Sequence, residues 1–252
     1  MNKTALEKVR IVLVEPAGPL NVGSIARVMK NMGLQQLILV NPQCDRLSEE
    51  ARRMAVHGID VLEQAQTVTS LPEALRGCQR VIATTARSRS LPTALETPRQ
   101  ALPWLLTDTF NSALIFGPED RGLNNEELNY AQRFVCIRAN PEYSSLNLAQ
   151  AVAVCTYELS TAAETAIIVP SLPTPESVSF ETLEGYYQHL EDILLKIGYL
   201  YPHTAKARLE KFRRLYSKAN LTTEEVALLR GILRQIDWFW QLLPEQDSHN
   251  SQ

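Results

Sequence analysis

Short continuous apolar runs alternate along the chain with segments whose apolar residues recur every three or four positions. The runs are Val9–Glu15, Leu37–Val40, Val81–Thr85, Ala113–Phe116 and Phe134–Ile137. Such runs are expected of strands covered on both faces. The periodic segments between them read as helices. Asn21-Val22-Gly23-Ser24 opens one, with Ile25, Val28, Met29 and Met32 on one face and Gly33 as its stop signal. Ser48 before Glu49 and Glu50 starts another, ended by Gly58. Ser70-Leu71-Pro72-Glu73 fits a capping box ahead of a short helix closed by Gly77. Thr97-Pro98 marks a further helix start, and so does Asn124 or Asn125 followed by Glu126 and Glu127.

The stretch from Ala139 to Val152 changes character halfway. Asn140-Pro141 disfavours helix, and Ser144, Ser145 and Asn147 supply capping groups. From Leu148 an apolar helix runs through Val152, Val154 and Tyr157 to about Glu164. Such a junction offers unpaired backbone N–H groups to a ligand. It is equally readable as a capped core helix after a turn.

Strands alternating with helices predict an α/β fold, a parallel sheet with helices on both faces. Ligands in such folds collect beyond the carboxyl ends of the strands. Four loops there are rich in Gly, Asn, Ser, Thr and charge, at Asn21, Thr84, Gly117 and Asn140. Residues 166–178, with Pro170, Pro173 and Pro175, read as a linker. Beyond it the pattern is helical: about Phe180–Ile197, about Thr204–Ala219, and a third helix from the Thr222–Glu225 capping box to about Leu243. The expected division is a domain over 1–165, the linker, a helical extension over 179–243 and a polar tail over 244–252.

Composition narrows the function. With 252 residues, 45% hydrophobic and 21% charged, the chain is an ordinary globular one. A net charge of −3 provides no global basic field, so any RNA contact must use local patches. Cys44, Cys78, Cys136 and Cys155 form no C-x-x-C pair and read as reduced thiols of a cytoplasmic protein. The histidines have no ligand spacing, so no metal site is expected. No run resembles a signal peptide or reaches membrane-spanning length. Dinucleotide, P-loop and nucleophile-elbow patterns are absent.

Three segments remain: Asn21-Val22-Gly23-Ser24-Ile25-Ala26-Arg27, Gly117-Pro118-Glu119-Asp120-Arg121-Gly122-Leu123 and Ser145-Leu146-Asn147-Leu148-Ala149. Together, in this order, each after a strand, they resemble the signature motifs of the SpoU/TrmH branch of the SPOUT superfamily, the RNA ribose 2′-O-methyltransferases. Thr85-Ala86-Arg87-Ser88-Arg89, the Asn140–Leu148 segment and the helical extension are similar to those members that methylate a cytidine or uridine ribose in the tRNA anticodon loop. One departure is Gly117-Pro118-Glu119-Asp120-Arg121, where related sequences often carry Arg-Glu-Arg after the glycine.

The resemblance implies a trefoil-knotted parallel sheet, a homodimer whose sites draw on both subunits, and methylation of tRNA at position 32 with S-adenosyl-L-methionine. It implies donor binding by Thr84, Thr85, Ala86, Gly117, Ile137, Ser144, Ser145 and Leu146. Ile137 and Leu146 read otherwise as plain core. Arg27 matches the arginine assigned to taking the 2′-OH proton. A guanidinium titrates at about 12.5–13.8, so deprotonating one near neutrality costs roughly 8 kcal/mol. Arg27 is therefore expected to stay cationic, holding phosphate and stabilising the developing 2′-oxyanion, with Asn21 and Glu119 orienting it. Ser145 and Asn147 match positions near donor and acceptor, and also read as helix caps. RNA contact is expected from Arg87 and Arg89 and from Lys206, Arg208, Lys211, Arg213, Arg214 and Lys218 of the second appended helix, which otherwise is a solvated face. Trp238, Phe239 and Trp240 read as packing or dimer contacts. An rRNA target, or a non-catalytic RNA-binding protein of the same fold, are the alternatives.

Overall fold

A computed structural model describes residues 3–86, 95–140, 142–143, 145–165, 178–219 and 221–242. Residues 1–173 and 174–252 form two compact units.

In the first unit, a short helix α1 (Lys3–Glu7) leads into β1 (Val9–Val14), α2 (Pro19–Asn31) and β2 (Gln36–Val40). Then come α3 (Glu49–Ala55), α4 (Ile59–Gln64), β3 (Gln66–Val68), α5 (Leu71–Ala74) and β4 (Cys78–Thr84). The unit is completed by α6 (Pro98–Ala101), β5 (Asn111–Phe116), α7 (Asn125–Leu128), β6 (Arg133–Val135) and α8 (Leu148–Thr165). The strands make one sheet in the order β3-β2-β1-β5-β4-β6. All its pairings are parallel; Ile11 of β1, for example, sits between Leu37 and Leu114.

Burial follows from the apolar runs. Val9, Ile11 and Leu13 share a core with Ile25 and Met29 of α2 and with Val152, Cys155 and Leu159 of α8. Their neighbours Val12, Ile38 and Ile115 are buried too, so the sheet is covered on both faces. Each such side chain contributes about 1.5–3 kcal/mol on leaving water.

The structure corrects several expected boundaries. The helix of the Asn21 segment begins at Pro19, since proline fits a first helical turn that needs no N–H donor there. Strand β1 ends at Val14, because Glu15 turns to a φ of 46°. The fifth expected strand ends at Val135 rather than Ile137. The helix expected to run from Ser48 to Gly58 stops at Ala55, where Val56 takes a φ of 52° before a 3₁₀ turn and α4. Gly58 has a different role from a helix stop. A Cβ there would lie 2.7 Å from the Ala26 carbonyl and 2.9 Å from the Arg27 Cα, so glycine lets α2 seat closely. The capping box expected at Ser70 is not formed: Ser70 is the N-cap without a side-chain cap bond, and Glu73 accepts from the Thr69 N–H at 3.1 Å instead. Strand β3, whose sequence Gln-Thr-Val is polar and short, carried no apolar pattern to find.

The second unit holds α9 (Phe180–Lys196), α10 (Pro202–Ala219) and α11 (Thr223–Leu242). Its core joins Tyr186, Tyr187, Leu190 and Ile193 of α9 to Leu209, Val226 and Leu233. The expected linker lies almost wholly outside the described residues.

Candidate active site

Three loops meet beyond the carboxyl ends of β1, β5 and β6, joined by a hydrogen-bonded chain from Glu119 through Asn21 to Asn147. The Glu119 carboxylate accepts from the N–H groups of Ala17 at 3.1 Å and Gly18 at 3.2 Å. It also accepts from Asn21 Nδ2 at 2.9 Å. Asn21 Oδ1 in turn accepts from Asn147 Nδ2 at 3.0 Å. Asn147 Oδ1 caps α8, accepting from the Ala149 N–H at 2.9 Å and the Gln150 N–H at 3.4 Å. Burial pushes the Glu119 carboxyl up, but donation from Asn21, Ala17 and Gly18 outweighs it and holds the group below the ordinary carboxylate range. Capping and loop-bridging are thus both served by Asn147, and Asn21 reaches both neighbours from the first turn of α2.

Beside this tie lies a cavity of about 370 Å³. Thr84, Thr85, Ala86, Gly117, Ile137, Ser145 and Leu146 all line it, together with Glu119. Thr84 is fixed through its hydroxyl, which donates to the Ile115 carbonyl at 3.0 Å. The Thr85 N–H donates to the Val135 carbonyl at 2.9 Å, joining the β4 loop to β6. The close approach at Gly117 is by its own loop. A Cβ at Gly117 would lie 2.3 Å from both Gly122 C and Leu123 N, so the 117–123 segment can fold back only over glycine. Tyr143 N–H donates to the Asn140 carbonyl at 3.0 Å, which shapes the polar turn before Ser145. Ser144 lies outside the described residues.

Spacing did not single out Arg121 as a site residue, and the departure from the related motif falls at Pro118 and Asp120 beside it. Its guanidinium bridges Glu15 at 2.7 Å and both oxygens of Glu127 at 3.0 Å. Donation to Glu127 first, then to Glu15, pushes its pKa further above the usual arginine value.

Arg27 is exposed and lies outside the cavity lining. The expected contacts from Asn21 and Glu119 to Arg27 are not made; Asn21 sits in the first turn of α2, where the Glu119 carboxylate from the loop after β5 meets it, while Arg27 is further along the helix. Arg87 and Arg89 lie outside the described residues, as does the Lys218 side chain.

Within the helical unit, Lys206, Arg208 and Lys211 of α10 are exposed. Arg213 turns inward instead: it pairs with Glu184, their side chains 15% and 17% exposed, and its guanidinium lies 4.4 Å from the Tyr187 ring centre. Arg214 donates to the Glu210 carbonyl at 3.2 Å. Trp238, Phe239 and Trp240 are largely exposed and do not pack into the unit's core. Among the described residues no cluster of His, Cys, Asp or Glu could hold a metal ion, and no helix is long and apolar enough to cross a membrane.

Comparison with known proteins agrees with this architecture along the chain. The tRNA (cytidine/uridine-2′-O-)-methyltransferase TrmJ of Klebsiella pneumoniae is 41% identical over 241 residues, 92% of this chain and 97% of its own. The tRNA (cytidine/uridine/adenosine-2′-O-)-methyltransferase TrmJ of Pseudomonas aeruginosa is 40% identical, covering 91% and 94%. The crystal structure of TrmJ from Z. mobilis ZM4 superposes with a TM-score of 0.80 at 33% identity, covering 90% of this chain and 98% of that one. Residues 181–249 match the C-terminal domain of tRNA methyltransferase TrmJ. Residues 8–157, which carry all three converging loops, match the SpoU rRNA Methylase family, and the chain belongs to that family.

Proposed function

We propose that this protein transfers a methyl group from S-adenosyl-L-methionine to the ribose 2′-OH of a cytidine or uridine in the tRNA anticodon loop, at position 32. One observation carries the reading: three loops distant in sequence are joined by a hydrogen-bonded chain from Glu119 through Asn21 to Asn147, and Glu119 lines a single cavity beside it. Relatives at 40% and 41% identity over more than nine tenths of the chain are tRNA 2′-O-methyltransferases.

The cavity suits the donor. Its size falls in the small-molecule range of about 300–1,000 Å³. Ile137, Leu146 and Val135 offer apolar surface for a purine, and Thr84, Thr85, Ala86, Gly117 and Ser145 offer backbone and hydroxyl groups for its polar parts. When bound, the donor supplies an electrophilic methyl group on a sulfonium.

Arg27 is the cation for the acceptor side. It makes no hydrogen bond or ion pair among the described residues and lies outside its own chain's cavity, which suits a homodimer in which it serves the cavity of a second copy. There it holds the acceptor phosphate and stabilises the developing 2′-oxyanion while remaining cationic, the proton leaving through phosphate or water. Glu119 is a poor base for that proton, since three donors occupy a carboxylate already below its ordinary pKa. Asn21, Glu119 and Asn147 keep the loops in register, and Ser145 faces the donor. In this reading the passage from β6 to α8 threads a loop as a trefoil knot around Ser144. Lys206, Arg208, Lys211 and Lys218 of α10, with Arg87 and Arg89, meet the tRNA backbone, and the enzyme works in the cytoplasm.

An rRNA target is favoured only by the name of the matched family. The TrmJ C-terminal match over 181–249 favours tRNA. The test is transfer of tritiated methyl to bulk tRNA and bulk rRNA, followed by mapping of ribose methylation on tRNA from a deletion strain. Label in rRNA alone would overturn the substrate; donor binding without transfer would leave a binding protein.

A further inference from the structure

We propose that Arg121 is a positioning residue for the donor cavity, holding the 117–123 loop in its binding-competent shape by bridging Glu15 and Glu127. The inference rests on reading that cavity as the S-adenosylmethionine site. Arg121 Nη2 lies 2.7 Å from Glu15 Oε2, and Nη1 and Nη2 each lie 3.0 Å from an oxygen of Glu127. Nη1 also donates to the Gly122 carbonyl at 3.0 Å, inside the loop itself. The two carboxylates belong to different elements. Glu15 follows β1, and Glu127 sits in the first turn of α7, where it also accepts from the Asn124 N–H at 2.7 Å. One side chain therefore fixes the loop to the end of the central strand and to the helix that follows the loop.

The same turn after β1 is held a second time by Glu119, two residues before Arg121, through Ala17, Gly18 and Asn21. Glu15 itself is at a φ of 46°, a conformation costly for a residue with a Cβ. Its pairing with Arg121 helps to hold it there. Asp120 and Glu119 flank Arg121 in sequence, so this rim of the cavity is otherwise acidic. Loss of the guanidinium leaves Glu15 and Glu127 facing each other without the cation between them.

The bridge lies at the rim and not in the core. Arg121 and Glu15 side chains are each 37% exposed, which limits what that pair adds to global stability, whereas Glu127 is only 13% exposed. What they control is a cavity wall. For a loop that populates its competent form only part of the time, apparent affinity falls in proportion to that fraction. A donor that binds the competent form then restores it at saturation.

The experiment uses the full-length protein and reads S-adenosylmethionine binding by calorimetry and steady-state transfer to tRNA. The variants are Arg121→Met, Arg121→Lys, Glu15→Gln and the Arg121→Met/Glu15→Gln pair. Arg121→Met is expected to raise Kd and KM for the donor about tenfold. Its kcat at saturating donor and KM for tRNA stay close to wild type. Arg121→Lys, which keeps the charge but loses the fork, falls between. The double variant binds no more weakly than Arg121→Met alone. Unchanged donor affinity, a fall in kcat with KM unchanged, or additive losses in the double variant would each overturn the inference. No uptake by the wild-type protein would end the donor-site reading and this inference with it; equal uptake by wild type and Arg121→Met ends this inference alone.

Discussion

Glu119 shows how a loop carboxylate can matter without touching the reacting atoms. The folded carboxyl titrates below the unfolded one. The tie's contribution to stability is therefore complete above the ordinary glutamate value of about 4.3 and is lost as pH falls through the lower native value. Thermal unfolding followed from pH 5 to pH 3 should show the wild type losing more stability than Glu119→Gln. At pH 7 the same substitution should cost about 1–3 kcal/mol, since it weakens acceptance from Ala17, Gly18 and Asn21. Arg27 behaves differently. Arg27→Ala is expected to lower kcat about 10²–10³-fold, the loss seen when one oxyanion donor is removed. Arg27→Lys should retain part of the rate with no change in the pH–rate profile. A pKa that disappears in the lysine variant would instead make Arg27 the base. Asn21, Glu119 and Asn147 were each legible as site candidates from their motifs. Their actual partners were not. A hydrogen bond between Asn21 and Asn147 depends on how two loops 126 positions apart are brought together, which no local pattern encodes.

At the scale of elements, the long apolar runs and periodic helices were readable because burial dictates their residue types. Strand β3 and helix α4 escaped because a three-residue polar strand and a six-residue helix leave too few positions for a period to emerge. Gly58 was visible only as a stop signal, since its true constraint is the backbone of α2. Gly58→Ala should therefore cost about 1–3 kcal/mol by overpacking and displace the turn that carries Arg27. Denaturant unfolding and methyl transfer to tRNA, measured together, separate the two effects. In the helical unit the basic helix α10 serves two purposes that its sequence pattern cannot tell apart. Arg213→Ala should destabilise the unit by about 1.5–3 kcal/mol, because Glu184 loses its charged partner. Lys206→Glu and Lys211→Glu should leave stability nearly unchanged, weaken tRNA binding and reduce its salt dependence by about one unit of slope each. Filter binding across a salt series distinguishes the two classes.

Across the whole molecule, the chain divides its labour between a sheet unit that builds the cavity and a helical unit rich in surface cations. The order of strands has a consequence for how the protein is made. Strand β1, near the amino end, waits for β5, and Glu119 must find Ala17 across 102 positions. A polypeptide leaving the ribosome therefore carries an unpaired apolar edge for much of its synthesis. Such distant closures are slow to form and leave nascent chains prone to wrong association. Translation that halts before α8 yields a sheet stripped of its Val152, Cys155 and Leu159 cover and a cavity without the Leu148 and Ala151 part of its wall.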